Sequence, residues 1–308
     1  MPRHISLLFP GQGSQSLGML SSFNNEDLDF ISSASKETLS FDLLDVIQSG
    51  PDDKLNQTSF TQPALLATSY LYYKKFLSIT ELTPNIMAGH SLGEYSALVA
   101  SGSIDFKTAL NLVYKRGLFM EKSDAGSMFA ILNLNIETIN SICDEVRDTL
   151  DEIVAPANIN SANQVVIAGS HEAAALAAEK CKVAGAKRTI QLKVSVASHC
   201  NLMQSASILL SEEMKNIKFN NPTIPIIHNV DALEGNNNDD DIAQKLTDQL
   251  IKPVQWLKTM EKINMLDGIV VECGPGRVLS GLAKTNGLSN ILTMSSDNFK
   301  DNFNNIYG

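Results

Sequence analysis

The sequence predicts an α/β protein that carries a second, inserted α+β unit. Apolar strands alternate with helical stretches near both ends of the chain, which is typical of α/β proteins. Between them the elements follow in the order β-α-β-β-α-β, a split βαβ unit of the ferredoxin-like type. The 308 residues, 44% of them hydrophobic, are enough to bury a large core. We therefore expect a subdomain over residues 126–193, inserted into a core formed by 1–125 and 194–308.

The first part of the core is predicted to alternate strands and helices. Its clearest helix covers residues 63–77, because Thr61 can cap it and Pro63 fits its first turn, where a missing N–H costs nothing. Periodicity predicts the other elements of this part: strands over 5–9 and 85–89, and helices over 92–100 and 106–120.

The same patterns predict the elements of the subdomain and of the returning core. In the subdomain they are strands over 128–132, 153–158, 164–168 and 188–192, and helices over 136–150 and 173–184. In the returning core they are strands over 224–228 and 268–272, helices over 202–214, 242–250 and 254–263, and a last helix after Gly274-Pro275-Gly276. The polar, Asn-rich tail from Ser295 is expected to fray.

Composition restricts the classes of function. The chain has 24 Lys and Arg against 34 Asp and Glu, a formal net charge of −10, and its basic residues are scattered, which argues against binding to nucleic acid. Its start lacks the apolar stretch of a signal peptide, and no later run approaches the roughly 20 apolar residues that span a bilayer. The four cysteines form no CxxC pair, so neither a disulfide framework nor a zinc site is indicated. We expect a cytoplasmic protein that does not bind membranes.

The strongest local signal is Gly89-His90-Ser91-Leu92-Gly93, a G-x-S-x-G between a predicted strand and a predicted helix. A sharp turn there strains the serine backbone and aims its Oγ out at the carboxyl edge of the sheet, and glycines supply the room. The N–H of Leu92, at the positive end of the helix, can serve as an oxyanion donor. This pattern favours Ser91 as the nucleophile of a nucleophile elbow in a hydrolase-like core. The alternative is a glycine-rich turn without chemistry.

Five histidines could supply the base that such a serine needs. His90 is next to the serine, so its side chain points elsewhere, while His4 and His171 lie at a strand and at a helix start. His228 ends an apolar strand and is better explained as a core or edge histidine whose hydrogen bonds are satisfied. His199 ends a strand-like run before a helix, a loop position of the kind that presents catalytic groups. An imidazole, with an ordinary pKa of about 6.5, suits proton transfer at neutral pH, and His199 is the favoured base.

Two further positions leave alternatives open. Gly11-Gln12-Gly13 follows the first strand, but Ser16 stands where a dinucleotide fingerprint needs its third glycine. Gln12 could donate to a developing oxyanion, or the segment could be a plain βα turn. Arg116, in the predicted helix 106–120, is either a snorkelling surface residue or a buried fork for a carboxylate, and its neighbours alone favour the surface.

Six blocks of the sequence carry a family resemblance. They are Gly11-Gln12-Gly13-Ser14-Gln15, residues 89–98, Arg116-Gly117, residues 194–199, Pro253-Val254-Gln255-Trp256 and Gly274-Pro275-Gly276. In this order, from about residue 5 to about residue 293, the chain resembles the malonyl-CoA:acyl carrier protein transacylases of dissociated fatty-acid synthesis.

The resemblance implies a ping-pong acyl transfer. Ser91 would attack the thioester of malonyl-CoA, His199 would take its proton, and the malonyl ester would pass to the phosphopantetheine thiol of the carrier protein. The family's histidine is oriented by a backbone carbonyl rather than by an aspartate, and the matching position here is Gln249. The N–H of Leu92 and the side chain of Gln12 would form the oxyanion hole.

The resemblance also implies how the acyl group is held. Arg116 would bind the malonyl carboxylate in a bidentate pair, which reverses the surface interpretation, and an acetyl group would leave the guanidinium unpaired. Asn160 matches a family position near the substrate. The family's Val-Pro-Ser-His stands here as Val196-Ala197-Ser198-His199, at residues that influence the choice of malonyl or methylmalonyl in related polyketide acyltransferases. No metal or organic cofactor is implied, since coenzyme A enters only as part of the substrate.

The expected partners are malonyl-CoA and holo acyl carrier protein, and the chain is expected to be a monomer. Carrier proteins are acidic, so a chain of charge −10 needs a local basic patch to dock one. The candidates for that patch are Lys187, Arg188, Lys193, Arg277 and Lys284. Three alternatives stay open: a serine thioesterase or other hydrolase, a docking module with a vestigial site, and a polyketide-type acyltransferase with malonyl or methylmalonyl specificity.

Overall fold

The computed structural model describes residues 4–194, 196–234 and 239–307. Residues 1–3, at the chain start that was considered for a signal peptide, and Ser195, in the run before His199, lie outside the described residues. Among the helices that are described, none combines the length and the apolar character needed to cross a membrane.

Two sheets and the helices around them make up the described chain. The strands are β1 (Ile5–Phe9), β2 (Ile86–Gly89), β3 (Ser127–Leu132), β4 (Val154–Ser161), β5 (Gln164–Gly169), β6 (Arg188–Gln191), β7 (Ile226–Ile227), β8 (Ile269–Glu272) and β9 (Ile291–Thr293). The helices are α1 (Asn25–Leu39), α2 (Leu43–Ser49), α3 (Asp52–Leu55), α4 (Thr58–Thr80), α5 (Gly93–Ala100), α6 (Phe106–Glu121), α7 (Ile136–Leu150), α8 (His171–Val183), α9 (Gln204–Met214), α10 (Asp239–Gln249), α11 (Trp256–Met265), α12 (Val278–Thr285) and α13 (Phe299–Tyr307).

The larger sheet is parallel and lies at the centre of the protein. Its strand order is β7-β2-β1-β8-β9, and each pair of neighbours runs in the same direction. Every residue of β1, β2, β7 and β8 is buried, as expected for a parallel sheet with helices on both faces. Because ligands of such sheets bind outside the carboxyl ends of the strands, the turns after β1 and β2 are placed at a natural site. The predicted α/β class is therefore confirmed.

The smaller sheet is antiparallel, with the strand order β4-β5-β3-β6. Helices α7 and α8 cover one face of it, and their apolar residues form a small core with those of the strands. All of these elements come from residues 127–191. We therefore retain as a proposal the division into an inserted ferredoxin-like subdomain, 126–193, and a core, 1–125 with 194–308.

The start of α4 differs from the prediction. The helix begins at Thr58, so Thr61 does not cap it and Pro63 lies in its interior. The additional turn is stabilised from outside the helix, because the Ser59 N–H donates to the Glu121 carboxylate at 2.8 Å. Thr61 Oγ1 donates to the Leu55 carbonyl at 2.5 Å. The first N–H groups of a helix have no partner inside it, and here one of them is satisfied by a side chain distant in sequence. The helix can therefore begin earlier than the local sequence predicts.

The prediction of a fraying tail is wrong, because the chain after β9 forms the helix α13. Phe299 and Phe303, four residues apart on one face of this helix, are buried against Phe76, with ring centroids 6.4 Å and 6.1 Å away. Their burial stabilises a segment whose other residues are mostly polar. The edge strand β9, only three residues long, was also not predicted from the sequence.

Replacement of Phe303 by Ala tests this anchoring. Loss of a buried aromatic side chain should lower the free energy of unfolding by about 3–5 kcal/mol. The exposed neighbour Asn304 provides the control, and Asn304→Ala should change stability by less than about 0.5 kcal/mol. Denaturant unfolding measures both variants. Equal effects of the two substitutions would contradict the anchoring.

Candidate active site

A cleft of about 180 Å³ brings together most of the predicted site residues. It opens at the carboxyl ends of β1 and β2 and is lined on its other side by Met128 of β3, Asn158 of β4 and Leu192 after β6. Of the predicted residues, those that line it are Gln12, Ser91, Leu92, Arg116, Lys193 and His199. The volume is several times the roughly 30 Å³ that one water occupies in the liquid, so the cleft has room for a small organic group.

The turn at Ser91 is strained and closely packed. β2 ends at Gly89, α5 begins at Gly93, and Ser91 between them has a φ of 51°, a left-handed conformation that non-glycine residues rarely adopt. A Cβ on Gly89 would overlap the backbone of Gly93, and a Cβ on Gly93 would overlap the carbonyl of Phe9. Gly89 is therefore required by the close packing inside the turn itself, and Gly93 by the contact between the turn and β1.

Asn229 holds the turn from the neighbouring strand. Its Oδ1 accepts the Ser91 N–H at 2.7 Å, and its Nδ2 donates to the Gly89 carbonyl at 2.6 Å. Asn229 was not among the site residues predicted from the sequence. Its signal was available, since Asn229 follows β7, and the carboxyl ends of the parallel strands β7 and β2 meet at one edge of the sheet.

His199 is placed to act as the base. Its Nε2 is 2.9 Å from Ser91 Oγ, and its Nδ1 is 2.6 Å from the Gln249 carbonyl oxygen. A carbonyl only accepts, so Nδ1 carries the proton and Nε2 is free to accept the serine proton. Burial, and then the positive charge of Arg116, lowers the pKa of His199 to about 3. The imidazole is therefore neutral, as a base must be, at physiological pH.

Arg116 is buried, so the surface location favoured by its sequence neighbours is wrong. The residue is 1% exposed, and its Nη2 donates to Gln249 Oε1 at 3.0 Å. The guanidinium lies over the Tyr95 ring, 5.4 Å from the centroid. Across the described ranges it forms no ion pair, and its Nε has no hydrogen-bond partner. An arginine stays charged in proteins, so the cleft contains a buried cation without a direct anionic partner.

Two donors face the cleft beside the serine. The N–H of Leu92 makes no hydrogen bond to any residue that the structure describes, although Leu92 is only 1% exposed. The Gln12 amide has a long contact, 3.4 Å from Nε2 to Thr58 Oγ1, which leaves it free to turn toward a bound group. These positions suit the oxyanion hole that was expected from the sequence.

Asn160 lies behind the cleft rather than in its wall. Its Oδ1 is 2.9 Å from His90 Nε2, and its carbonyl accepts from Asn286 at 2.9 Å. The residue that lines the cleft from this strand is Asn158, two positions earlier in β4, and the register of β4 against β5 is irregular between Ile159 and Ser161, on either side of Asn160. Asn160 therefore contacts the cleft only through His90.

The five basic candidates do not form one compact patch. Lys193 lines the cleft, and Arg277 and Lys284 line a separate hollow of about 170 Å³. Lys187 and Arg188 are exposed at the other end of β6 from the cleft. None of the five is in an ion pair with another described residue.

The remaining titratable groups show no metal-binding arrangement within the described part of the chain. No group of three or more His, Cys, Asp or Glu side chains there is suited to hold a metal ion. The cysteines Cys143, Cys181, Cys200 and Cys273 are buried and unpaired. Burial raises the pKa of Cys143 to about 12 and that of Cys200 to about 11, so these thiols are poor nucleophiles.

Comparisons with known proteins find relatives over nearly the whole chain. The family model for the acyl transferase domain matches residues 7–285. The malonyl CoA-acyl carrier protein transacylase of Haemophilus influenzae is 43% identical over 290 residues, which cover 92% of each chain. The solved transacylase of that name from Coxiella burnetii has a TM-score of 0.95 and 38% identity, and the match covers 100% of this chain and 99% of that one. A malonyl-transacylase solved in complex with its type II polyketide acyl-carrier protein has a TM-score of 0.88 and 42% identity over 94% of each chain.

Replacement of Arg116 by Met tests its effect on the base. Removal of the positive charge should raise the pKa of His199 above its value of about 3, because that charge is the second cause of the shift after burial. A neutral His199 is needed to activate Ser91, so the acid limb of serine reactivity should move to higher pH. The rate of inactivation by an uncharged fluorophosphonate measures this between about pH 2 and pH 7, a range that includes the limb of the wild type.

The control for this experiment is Lys115→Met on the same helix. Lys115 pairs with Glu213 outside the cleft, so its loss should leave the acid limb in place. Identical limbs for Arg116→Met and the wild type would show that the two buried groups do not interact.

Proposed function

We propose, since this chain belongs to the malonyl CoA-acyl carrier protein transacylase family of acyl transferases, that it moves a malonyl group from malonyl-CoA to the phosphopantetheine thiol of an acyl carrier protein. The observation that carries the proposal is the buried, unpaired guanidinium of Arg116 in the cleft of Ser91 and His199. A hydrolase of neutral esters has no need of such a cation. An acyl group that ends in a carboxylate supplies its missing partner.

In the first half-reaction, Ser91 Oγ attacks the thioester carbonyl while its proton moves to His199 Nε2. The turn at Ser91 acts as a nucleophile elbow that exposes this oxygen. The N–H of Leu92 and the Gln12 amide stabilise the negative oxygen of the tetrahedral intermediate. The intermediate collapses by breaking the carbon–sulfur bond, and the coenzyme A sulfur takes the proton from His199. The products are a malonyl-serine ester and free coenzyme A.

In the second half-reaction, the carrier thiol replaces coenzyme A. The thiol gives its proton to His199 and attacks the ester carbonyl, and the collapse returns that proton to Ser91 Oγ as the ester bond breaks. The carrier leaves as a malonyl thioester, and the enzyme is regenerated. Proton transfer uses one imidazole throughout, and coenzyme A takes part only as a substrate.

The substrate carboxylate also affects the base. The charge of Arg116 contributes to the low pKa of His199, and a bound malonyl carboxylate offsets that charge. Occupation of the cleft by the correct acyl group therefore makes His199 more basic at the moment when it must take the serine proton. An acetyl group leaves both the guanidinium unpaired and the base weak.

The proposal includes the setting of the enzyme. The malonyl thioester it makes would supply chain-extension units for fatty-acid synthesis, and a polyketide pathway would use the same transfer. A cytoplasmic location suits the four buried, unpaired cysteines, because a reducing compartment keeps thiols from forming disulfides. The carrier docks through some of the basic side chains Lys187, Arg188, Lys193, Arg277 and Lys284.

Intact-mass spectrometry tests the reaction. Brief exposure of the wild type to malonyl-CoA should add one malonyl group, and holo carrier protein should then remove it and gain it. Ser91→Ala should show no adduct, because the attacking oxygen is absent. An adduct that is lost only to water would instead support the hydrolase alternative, and an adduct on Ser91→Ala would exclude the proposed nucleophile.

Charge reversal tests the docking surface. Lys187→Glu combined with Arg188→Glu should raise the KM for carrier protein about tenfold at low salt, with a smaller effect at high salt because exposed charges are screened. The rate of serine acylation by malonyl-CoA should not change. Lys218→Glu combined with Lys258→Glu makes the same change in net charge on exposed residues of the core and is the control. An unchanged KM in the first variant would exclude Lys187 and Arg188 and leave Lys193, Arg277 and Lys284 as the docking candidates.

A further inference from the structure

Glu94 is a buried carboxylate that the proposed mechanism does not use. It lies in the first turn of α5, three residues after Ser91, and is 1% exposed. It does not contact the base, since His199 Nδ1 bonds to the Gln249 carbonyl. Its Oε2 accepts from Gln249 Nε2 at 2.7 Å and from the Asn229 N–H at 3.2 Å. Its Oε1 is 2.6 Å from His228 Nδ1.

The contacts of the Gln249 side chain fix the orientation of its amide. Nε2 faces two acceptors, Glu94 Oε2 at 2.7 Å and the Ser91 carbonyl at 3.1 Å. Oε1 faces a donor, Arg116 Nη2, at 3.0 Å. A flipped amide would set its oxygen against two acceptors and its NH₂ against a guanidinium, and Gln249 is fully buried, so water cannot replace the lost bonds.

This chain of bonds keeps a countercharge near Arg116 without forming an ion pair. The neutral amide of Gln249 stands between the carboxylate of Glu94 and the guanidinium, and the two charged groups are not in an ion pair. A direct pair would occupy the donors that a substrate carboxylate needs. The arrangement instead fixes Nη2 through a neutral amide and leaves the guanidinium, which lines the cleft, without an ionic partner among the described residues.

We infer that Glu94 is a positioning residue that, through the Gln249 amide, aligns Arg116 and so sets the preference for acyl groups with a terminal carboxylate. The inference rests on the proposed malonyl transfer. The effect of Glu94 on Arg116 can be separated from an effect on Ser91. Glu94 also contacts Asn229, which holds the turn of Ser91, but other bonds keep Asn229 in place as well. The Asn229 carbonyl also accepts from the Gln255 N–H at 2.8 Å, and its side chain bonds to Gly89.

The chain offers a conservative substitution that keeps the geometry and removes the charge. In Glu94→Gln, the amide oxygen can accept from Gln249 and Asn229 while its NH₂ faces His228 Nδ1. His228 can then hold its proton on Nε2, which has no partner in the described structure. Glu94→Ala has no such replacement, so the pair of variants separates positioning from charge.

The experiment compares two rates for each variant: malonyl transfer, which needs Arg116, and inactivation by an uncharged fluorophosphonate, which needs only Ser91 and His199. Glu94→Ala should lower kcat/KM for malonyl-CoA by about tenfold to a hundredfold, mainly through KM, while inactivation stays within about twofold of the wild type. Glu94→Gln should restore transfer to within about threefold of the wild type.

Two further variants complete the test. Glu94→Asp keeps the charge but shortens the side chain, so the carboxylate no longer reaches Gln249 Nε2, and it should repeat the selective loss even if Glu94→Ala does not fold. Asn229→Ala acts on the turn of Ser91 and should lower both rates together.

Equal losses of the two rates in Glu94→Ala and in Glu94→Asp would overturn the inference, as would unchanged malonyl transfer in both. A Glu94→Gln variant as impaired as Glu94→Ala would assign the effect to charge rather than to positioning and would also overturn it. Failure of the proposed function is distinct from these outcomes, since then the wild type itself would not transfer malonyl.

Discussion

The left-handed backbone at Ser91 is the constraint on which the site depends. A non-glycine residue in that conformation costs on the order of 1–3 kcal/mol, so the surrounding structure must hold it there. Gly93 packs against the carbonyl of Phe9 at the end of β1, and Asn229 bridges the turn from the end of β7. Three parallel strands, β1, β2 and β7, therefore fix the backbone of one serine.

Gln249 connects the three working groups of the cleft, and its neutrality matters. Its carbonyl orients His199, and its side chain contacts both Arg116 and the Ser91 carbonyl. A carboxylate in place of that carbonyl would favour the protonated imidazole and would also offset the charge of Arg116. With a carbonyl there, the imidazole stays neutral and the guanidinium keeps its charge for the substrate. A backbone oxygen, rather than an acidic side chain, therefore suits a cleft in which Arg116 must remain a cation without an anionic partner.

Sequence patterns located what is determined locally and missed what depends on distant contacts. The motif around Ser91 and the loop position of His199 are local, and the structure joins these two residues at 2.9 Å. The burial of Arg116 depends on α6 packing against other elements, so its own neighbours suggested a surface. Asn229 is brought to the serine only by the pairing of β2 with β7. The tail was predicted to fray because most of its residues are polar. The burial of Phe299 and Phe303 against Phe76, a residue distant in sequence, stabilises it as a helix.

The smaller, antiparallel sheet completes the cleft and is bonded to the rest of the protein beside it. Val254 makes two backbone hydrogen bonds with β4, each 2.9 Å long. Its carbonyl accepts from the Ile159 N–H, and its N–H donates to the Ala157 carbonyl. The contact of His90 with Asn160 adds a second link next to the serine. An acyl-enzyme that meets free water hydrolyses, so the transfer proposed above needs a wall that limits access to the ester. Because β4 is bonded to the core on the same side as the nucleophile, that wall is fixed in place, and an acceptor thiol must reach the ester through the mouth of the cleft.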